Sequence, residues 1–466
     1  MKNHKISRRD FLRTAFLAGS ALYLGACTPT VTPSAVPTTE PVKPTEAPEE
    51  TQPTPAPQQG PVTISFWYYW SGIWGDACTT VANSFMKANP DVKVEPTSTN
   101  AAWEKILAAF AAATPPNVLL DCSQSQLSPR NQLMALDPMI ATSSIIKKDN
   151  YYPAWWSSFA WQDKQYGLPA AEAGVDLAMI INKGLAAEAG LDLSNPPQTL
   201  DEMLAWAEKM TKIGSNGVLE QIGFDPLDGT SSQGYYNWAA IYGKNWWDPD
   251  TNKFNWLALT DAFKWQAEWI NKWGAANFEA FRSGFGGWLE PDSSMALGKQ
   301  AIHINGYWTP GELAHKAAKG QEFFYTWVPC PTSRKGIRVQ TSVPYGISIP
   351  LPNKAPEASF KMVEYFSTDE ADQLFFDTAG GFAWTKSFLA KVDTSKYPGL
   401  DFYVKSIAEA NEAYSNVSRC PLGFQFPEDR YLEALNKVIY DNKPPEDALN
   451  DAQKACEEEM TKLLKG

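Results

Sequence analysis

Histidine is almost missing from this chain. Of three, only His303 and His315 lie beyond the first 26 residues. They fit ordinary places on a strand and a helix, and no H-E-x-x-H, G-x-S-x-G or Walker glycine loop occurs, so a catalytic triad or a nucleotide-phosphate site is not expected. Cysteine is scarce too, with six residues at spacings that match no zinc site. Asp248-Pro249-Asp250-Thr251-Asn252 opens like a calcium loop, but Lys253 and Leu259 stand where that loop needs glycine and glutamate. A turn is the expectation there, with no metal and no cofactor. Basic residues are outnumbered, 40 Lys and Arg against 52 Asp and Glu, which argues against nucleic acid and anionic lipid surfaces as partners. There is no repeat of solenoid period and no apolar run long enough to span a bilayer. The longest, Ala15 to Ala26, has about 12 residues where about 20 are needed.

That short run has charged flanks of a definite kind. Ser7-Arg8-Arg9-Asp10-Phe11-Leu12 resembles a twin-arginine export signal, and Leu24-Gly25-Ala26-Cys27 resembles a lipobox, in which cleavage leaves a lipidated Cys27 at the front. Residues 1–26 are read as signal and 27–60 as a lipidated cysteine with its tether. The tether is rich in Thr, Pro and Glu with almost nothing to bury, and its prolines extend it up to roughly 100 Å. Losing residues 1–26, with five basic side chains and one acid, takes the formal charge from −12 to −16. Five cysteines remain, Cys78, Cys122, Cys330, Cys420 and Cys456. An odd number outside the cytoplasm allows at most two disulfides, and spacing alone leaves their pairing open.

What is abundant is aromatic: 13 % of residues, including 19 tryptophans. Trp265, Trp269 and Trp273 recur every four residues and read as the core face of a helix. The clusters Trp67-Tyr68-Tyr69-Trp70, Trp155-Trp156 and Trp246-Trp247 are harder to bury whole, and aromatic-rich clefts suit the apolar faces of sugars. The body of roughly 406 residues after the tether exceeds what a single core supports and suggests two lobes. Strands at 61–67, 92–96 and 117–121 alternate with helices at about 76–88 and 102–113. That alternation predicts an α/β fold with parallel sheets, whose ligands bind beyond the strand C-terminal ends.

Several segments in order carry a family resemblance: ISFWYYW at 64–70, SFMKANPDVKV at 84–94, PNVLLD at 116–121, YGLPAAEAGVDLAMIINK at 166–183, GKQAIHINGYW at 298–308, VPCP at 328–331, VPYGISIP at 343–350 and PPEDALNDAQK at 444–454. Together they resemble the extracellular solute-binding proteins of family 1, the maltose-binding-protein-like receptors of sugar ABC transporters. The resemblance implies a two-lobed periplasmic-binding-protein type II fold. Each lobe would be a mostly parallel sheet flanked by helices, with the ligand cleft between. Lobe one would comprise 61–170 plus 345–390 and lobe two 171–344 plus 391–466, with crossings near 169–174, near 343–347 and after about 385. It implies no catalysis, a carbohydrate ligand, ABC permease subunits as partners, a monomer, and a place on the outer face of the cell membrane or in the periplasm.

Carried over residue by residue, the resemblance offers Trp70, Ser71, Asn100, Asp121 and Gln124 from the first three strand ends, and Glu172 from the first crossing. Gly306 and Trp308 follow a strand at 301–305, Trp308 being the expected stacking platform whose loss weakens binding and not folding. Tyr345 lies at the second crossing; Trp247 and Trp288 are cleft wall or core. Trp384 and Arg419 sit where the sequence departs from the family pattern. The family's strand order would also bring Cys78 and Cys122 to one sheet edge as a disulfide. The competing function is a surface-anchored polysaccharide-degrading enzyme, because an acidic protein offers carboxylate pairs for glycoside hydrolysis.

Overall fold

The computed structural model describes residues 60–465 apart from 101, 229–233, 288 and 416. The signal segment, Cys27, nearly all of the tether and Trp288 lie outside the described residues. Strands β1 (Val62–Tyr68), β2 (Val92–Ser98) and β3 (Val118–Asp121) alternate with helices α1 (Gly72–Ala88) and α2 (Trp103–Ala111). In α1 the buried residues are Trp74, Ala77, Cys78, Val81, Ala82 and Phe85, a spacing of three and four that puts one apolar stripe against the sheet. The later strands are β4 (Gly167–Pro169), β5 (Ala178–Asn182), β6 (Lys212–Ile213), β7 (Leu219–Phe224), β8 (Gln300–Asn305), β9 (Phe323–Thr326), β10 (Val339–Thr341), β11 (Gly346–Ser348) and β12 (Glu412–Tyr414). Three further helices matter below: α3 (Thr260–Trp273), α4 (Thr309–Lys316) and α5 (Gln425–Tyr440).

Two five-stranded sheets result, in the orders β2-β1-β3-β11-β4 and β9-β5-β8-β7-β6; one large apolar core is built on the second sheet, and the other holds residues of both, β1 and β3 together with Ala178 and Ile180 of β5. The fold is α/β and two-lobed, but the sheets are mixed rather than mostly parallel. In the first, β1 runs parallel to β2 and β3, while β11 is antiparallel to β3 and β4. In the second only β7 and β8 pair parallel. In the first sheet the reversed strand is β11, which follows the second passage between the sheets, and in the second β6 and β7 form an antiparallel hairpin.

The chain passes between sheets through 170–177 and again through 342–345, and these segments bond to each other. Ala170 N–H donates to Tyr345 O (3.1 Å), Tyr345 N–H to Glu172 O (2.6 Å) and Asp176 N–H to Thr341 O (2.9 Å). Ser342 Oγ accepts the Trp155 indole N–H at 2.6 Å and donates to Gly174 O at 2.7 Å. The crossings therefore form one hydrogen-bonded ribbon, a fixed frame for whatever projects from it.

Burial takes most of the aromatic excess. On α3, Trp269 is buried and Trp265 and Trp273 pack partly buried against the same core. Trp155, Trp156, Trp246 and Trp247 are buried whole, contrary to the expectation from their clustering. Trp384 is fully buried, stacked 5.3 Å from Phe382, whereas Arg419 is exposed. Residues 248–252 form the turn of a short hairpin, Asp248 accepting from Asp250 N–H (2.9 Å) and Thr251 Oγ (2.7 Å). The expected Cys78–Cys122 disulfide is not formed, for both thiols are free. Cys78 points from α1 into the core beneath the sheet. Cys122 follows β3 at the opening between the lobes, its thiol paired with Tyr345. Among the described residues no helix is long and apolar enough to cross a membrane.

Candidate functional site

A cavity of about 560 Å³ opens where strand ends, crossings and two helix N-termini converge. β1 ends in Tyr68 and releases Tyr69, Trp70 and Ser71 into its wall, joined by Trp74 from the first turn of α1. Trp70 is the centre of an aromatic group, with ring centroids 4.8 Å from Tyr345, 5.4 Å from Trp74 and 6.0 Å from Tyr69. Asn100 stands at the lip after β2 with φ 53°, a left-handed backbone that asparagine tolerates better than most residues.

Glu172 is presented by a strained turn. Its N–H donates to Ala170 O at 2.6 Å, closing a three-residue loop around Ala171 at φ 60°. Left-handed alanine is costly and persists where the surrounding structure holds it, here the crossing ribbon. Glu172 is only 7 % exposed and accepts from the Trp70 side chain. Burial pushes its carboxyl well above the usual range, with Asp176 and Glu312 adding repulsion. Asp176, 2 % exposed, is raised by burial in the same way, against the opposing hydrogen bonds of Tyr236 (3.3 Å) and the Val343 backbone.

Further lining comes from α4 and α5. Trp308 immediately precedes α4, and Glu312 and Lys316 follow it at four-residue intervals on the same face. Lys316 Nζ lies 2.8 Å from Glu312 and 3.4 Å from Glu290; burial disfavours its charge, but the two carboxylates outweigh that and hold it above the ordinary lysine range. From α5 come Gln425 and Glu428, with Phe424 just before. Burial raises the Glu428 carboxyl to about 8, against the backbone N–H of Tyr235.

Of the residues singled out from sequence, Trp70, Ser71, Asn100, Glu172, Trp308 and Tyr345 line this one cavity. Asp121 lines a small adjoining recess and turns back on its own loop, accepting from Ser123 N–H at 3.0 Å; burial raises its carboxyl to about 6. Gln124 does not reach the cavity, because its amide donates to Gly346 O at 2.8 Å and fastens β11 beside β3. Trp247 does not either, being buried in the second core. Gly306 contributes room and not backbone approach: a Cβ there would stand 2.2 Å from the Trp308 ring, which folds back over it. Sequence reading missed Asp176, Tyr236, Glu290, Glu312, Lys316, Phe424 and Glu428. The four-residue ladder from Trp308 through Glu312 to Lys316 is the signal that would have found two of them.

Gly174 carries the contact between crossing and wall. A Cβ there would lie 2.4 Å from the Tyr307 ring and 2.6 Å from that of Trp384. Gly174→Ala should therefore destabilise the unliganded protein by about 1–3 kcal/mol through overpacking, measured by denaturant unfolding. Wild-type stability would mean that both rings yield without cost.

Solved structures with the same fold include CpMnBP1 with mannotriose bound, at 24 % identity and TM-score 0.74, covering 85 % of this chain and 100 % of that one. An ABC substrate-binding protein from Listeria monocytogenes in complex with cycloalternan matches at 18 % identity and TM-score 0.68, over 86 % and 99 %. The maltose/maltodextrin-binding domain from Bdellovibrio bacteriovorus bound to maltotriose matches at 16 % and 0.67, over 86 % and 100 %. No curated protein sequence matches. Residues 47–373, well over half of the chain, match the bacterial extracellular solute-binding proteins, and the chain belongs to that family.

Proposed function

We propose that this protein is a lipid-anchored receptor that binds a saccharide in the cavity between its lobes and delivers it, as a monomer on the outer face of the membrane, to the permease of an ABC importer. The observation that carries the reading is the cavity itself. Flat aromatic rings, Trp70, Tyr345 and Trp308, line it together with buried carboxyls that can hydrogen-bond. Rings suit the C–H faces of a sugar and carboxylates its hydroxyls. The oligosaccharides bound by the structural neighbours support the same ligand class. A panel of mono- and oligosaccharides should contain members that raise the melting temperature, because a ligand that binds the native state stabilises it. No shift across a broad panel would sink the saccharide reading.

Buried carboxyls held protonated are also what a glycoside hydrolase needs, so turnover decides between receptor and enzyme. Stoichiometric heat without product is the expected result, and product formed at catalytic rates would establish the enzyme. Anchoring rests on Cys27: Cys27→Ser should release the protein from membranes or leave it unprocessed, in a fractionation assay. Normal processing with unchanged membrane association would refute the lipobox.

A further inference from the structure

Charge in the cavity is one-sided. Among the described residues five carboxyl side chains line it, Glu172, Asp176, Glu290, Glu312 and Glu428, against one ammonium, that of Lys316. Lys316 is already engaged by Glu312 and Glu290. The side-chain donors given to Glu172 and Asp176 are neutral, the Trp70 side chain and the Tyr236 hydroxyl. Glu428 reaches the cavity from the first turn of α5; burial raises its carboxyl against the lowering backbone N–H of Tyr235, and among the described residues its buried Oε2 has no hydrogen-bond partner. A buried acceptor short of donors costs free energy, and ionising a pair of buried carboxyls without a counter-cation costs more. Something that brings both donors and positive charge would relieve both costs.

A neutral sugar offers hydroxyl donors but no cation, so the carboxyls stay protonated and hold it through neutral hydrogen bonds alone. A sugar acid adds a further negative charge beside carboxyls that already repel one another. A protonated amine on a sugar ring supplies three donors and a cation, and charge-assisted hydrogen bonds are about twice as strong as neutral ones. Resting on the reading of the cleft as a saccharide site, we propose that its solute is an amino sugar, a saccharide whose free ammonium group seats against Glu172 and Asp176. The sugar ring lies between Trp70 and Trp308, and Glu428 accepts from a second donor on the same ligand. Because burial keeps Glu172 and Asp176 protonated without a cation, seating the ammonium ionises one of the pair and expels one proton to solvent, the other carboxyl staying protonated.

The test is calorimetric titration with matched sets of disaccharides and trisaccharides in the glucose, mannose and galactose series. Each set holds a free-amine form, its N-acetylated form, the plain neutral sugar and the uronate. In the series that binds, the free amine should bind at least tenfold tighter than the neutral and N-acetylated forms, and the uronate should not bind. Repeating the amine titration at pH 7 in buffers of different ionisation enthalpy should show net proton release. Glu172→Gln with Asp176→Asn should reduce the amine preference to about twofold or less and abolish proton release. The unliganded melting temperature should stay level or rise, which shows that this variant folds. Equal or weaker binding of the amine beside a neutral sugar that binds overturns the amino-sugar assignment and leaves the receptor reading standing. Binding by no saccharide of any kind, or by a simple polyamine such as spermidine alone, overturns both.

Discussion

Trp308→Ala should weaken saccharide binding tenfold or more, about 1–3 kcal/mol, and should also destabilise the unliganded protein by about 3–5 kcal/mol. Two separate effects are expected because the ring has two neighbours. On one side it lines the cavity that Trp70 and Tyr345 also line. On the other it belongs to the apolar core, 6.0 Å from Tyr307 and folded over Gly306, and only 8 % of the residue is exposed. The family pattern suggested a platform whose removal affects binding and not folding; the packing joins the two. Trp308→Phe keeps a stacking face with a smaller hole, so most of the affinity should return with part of the stability. Titration calorimetry beside an unliganded melt reads both quantities. Unaltered affinity at a lowered melting temperature would remove Trp308 from the site and leave it a core residue.

The same residue shows what could be read before folding and what could not. Trp70, Glu172, Trp308 and Tyr345 follow strands or sit at crossings, and strand ends are recognisable from short apolar runs bounded by turn residues. Their convergence on one cavity follows from topology shared with the family. Gln124 shares that kind of position and still faces away, since one rotamer takes its amide to Gly346 O. No spacing rule predicts a rotamer. Tyr236 and Glu428 are almost two hundred residues apart in sequence and meet only through the second lobe's helices, so nothing local announces them. Strand direction was also out of reach: a strand buried on both faces, such as β5, reads as one apolar run whether its neighbours run parallel or antiparallel. Trp246 and Trp247 misled for the converse reason, because a cluster of large rings invites a cleft wall when the second core has room to enclose them.

Stability of the unliganded protein should fall as pH rises from about 6.5 to 8, an unusual sign for an acidic protein. Several buried carboxyls are held protonated by the fold. Burial raises Asp225 and Asp372 to about 7 and Glu428 to about 8, and it carries Glu172 and Asp176 upward as well. Arg282 opposes the rise at Asp225, as do the Ala383 N–H and the Thr385 hydroxyl at Asp372. In the unfolded chain these acids ionise at their ordinary values near 4. Between those values and the folded ones the native state holds more protons than the unfolded state, so each such group loses stability with rising pH until its folded pKa is passed. His303 works the other way. Burial lowers it to about 4 against the pull of Asp228, so it adds stability as pH rises from about 4 to 6.5 and is constant above. One histidine offsets only one such carboxyl between about pH 4 and 6.5, so the fall begins below pH 6.5, and above it the carboxyls act alone. A group that stays protonated only in the native state contributes about 1.4 kcal/mol per pH unit, and the combined fall from pH 6.5 to 8 should be on the order of 2–4 kcal/mol. Melting curves at fixed ionic strength from pH 5 to 9 measure it, with the highest melting temperature expected at the acid end of that range. Glu172→Gln removes one of these protonation demands together with its repulsion of Asp176, so its curve should be flatter and lie above wild type at pH 8. A wild-type melting temperature that climbs steadily to pH 8 would mean that these carboxyls are ionised in the empty cavity.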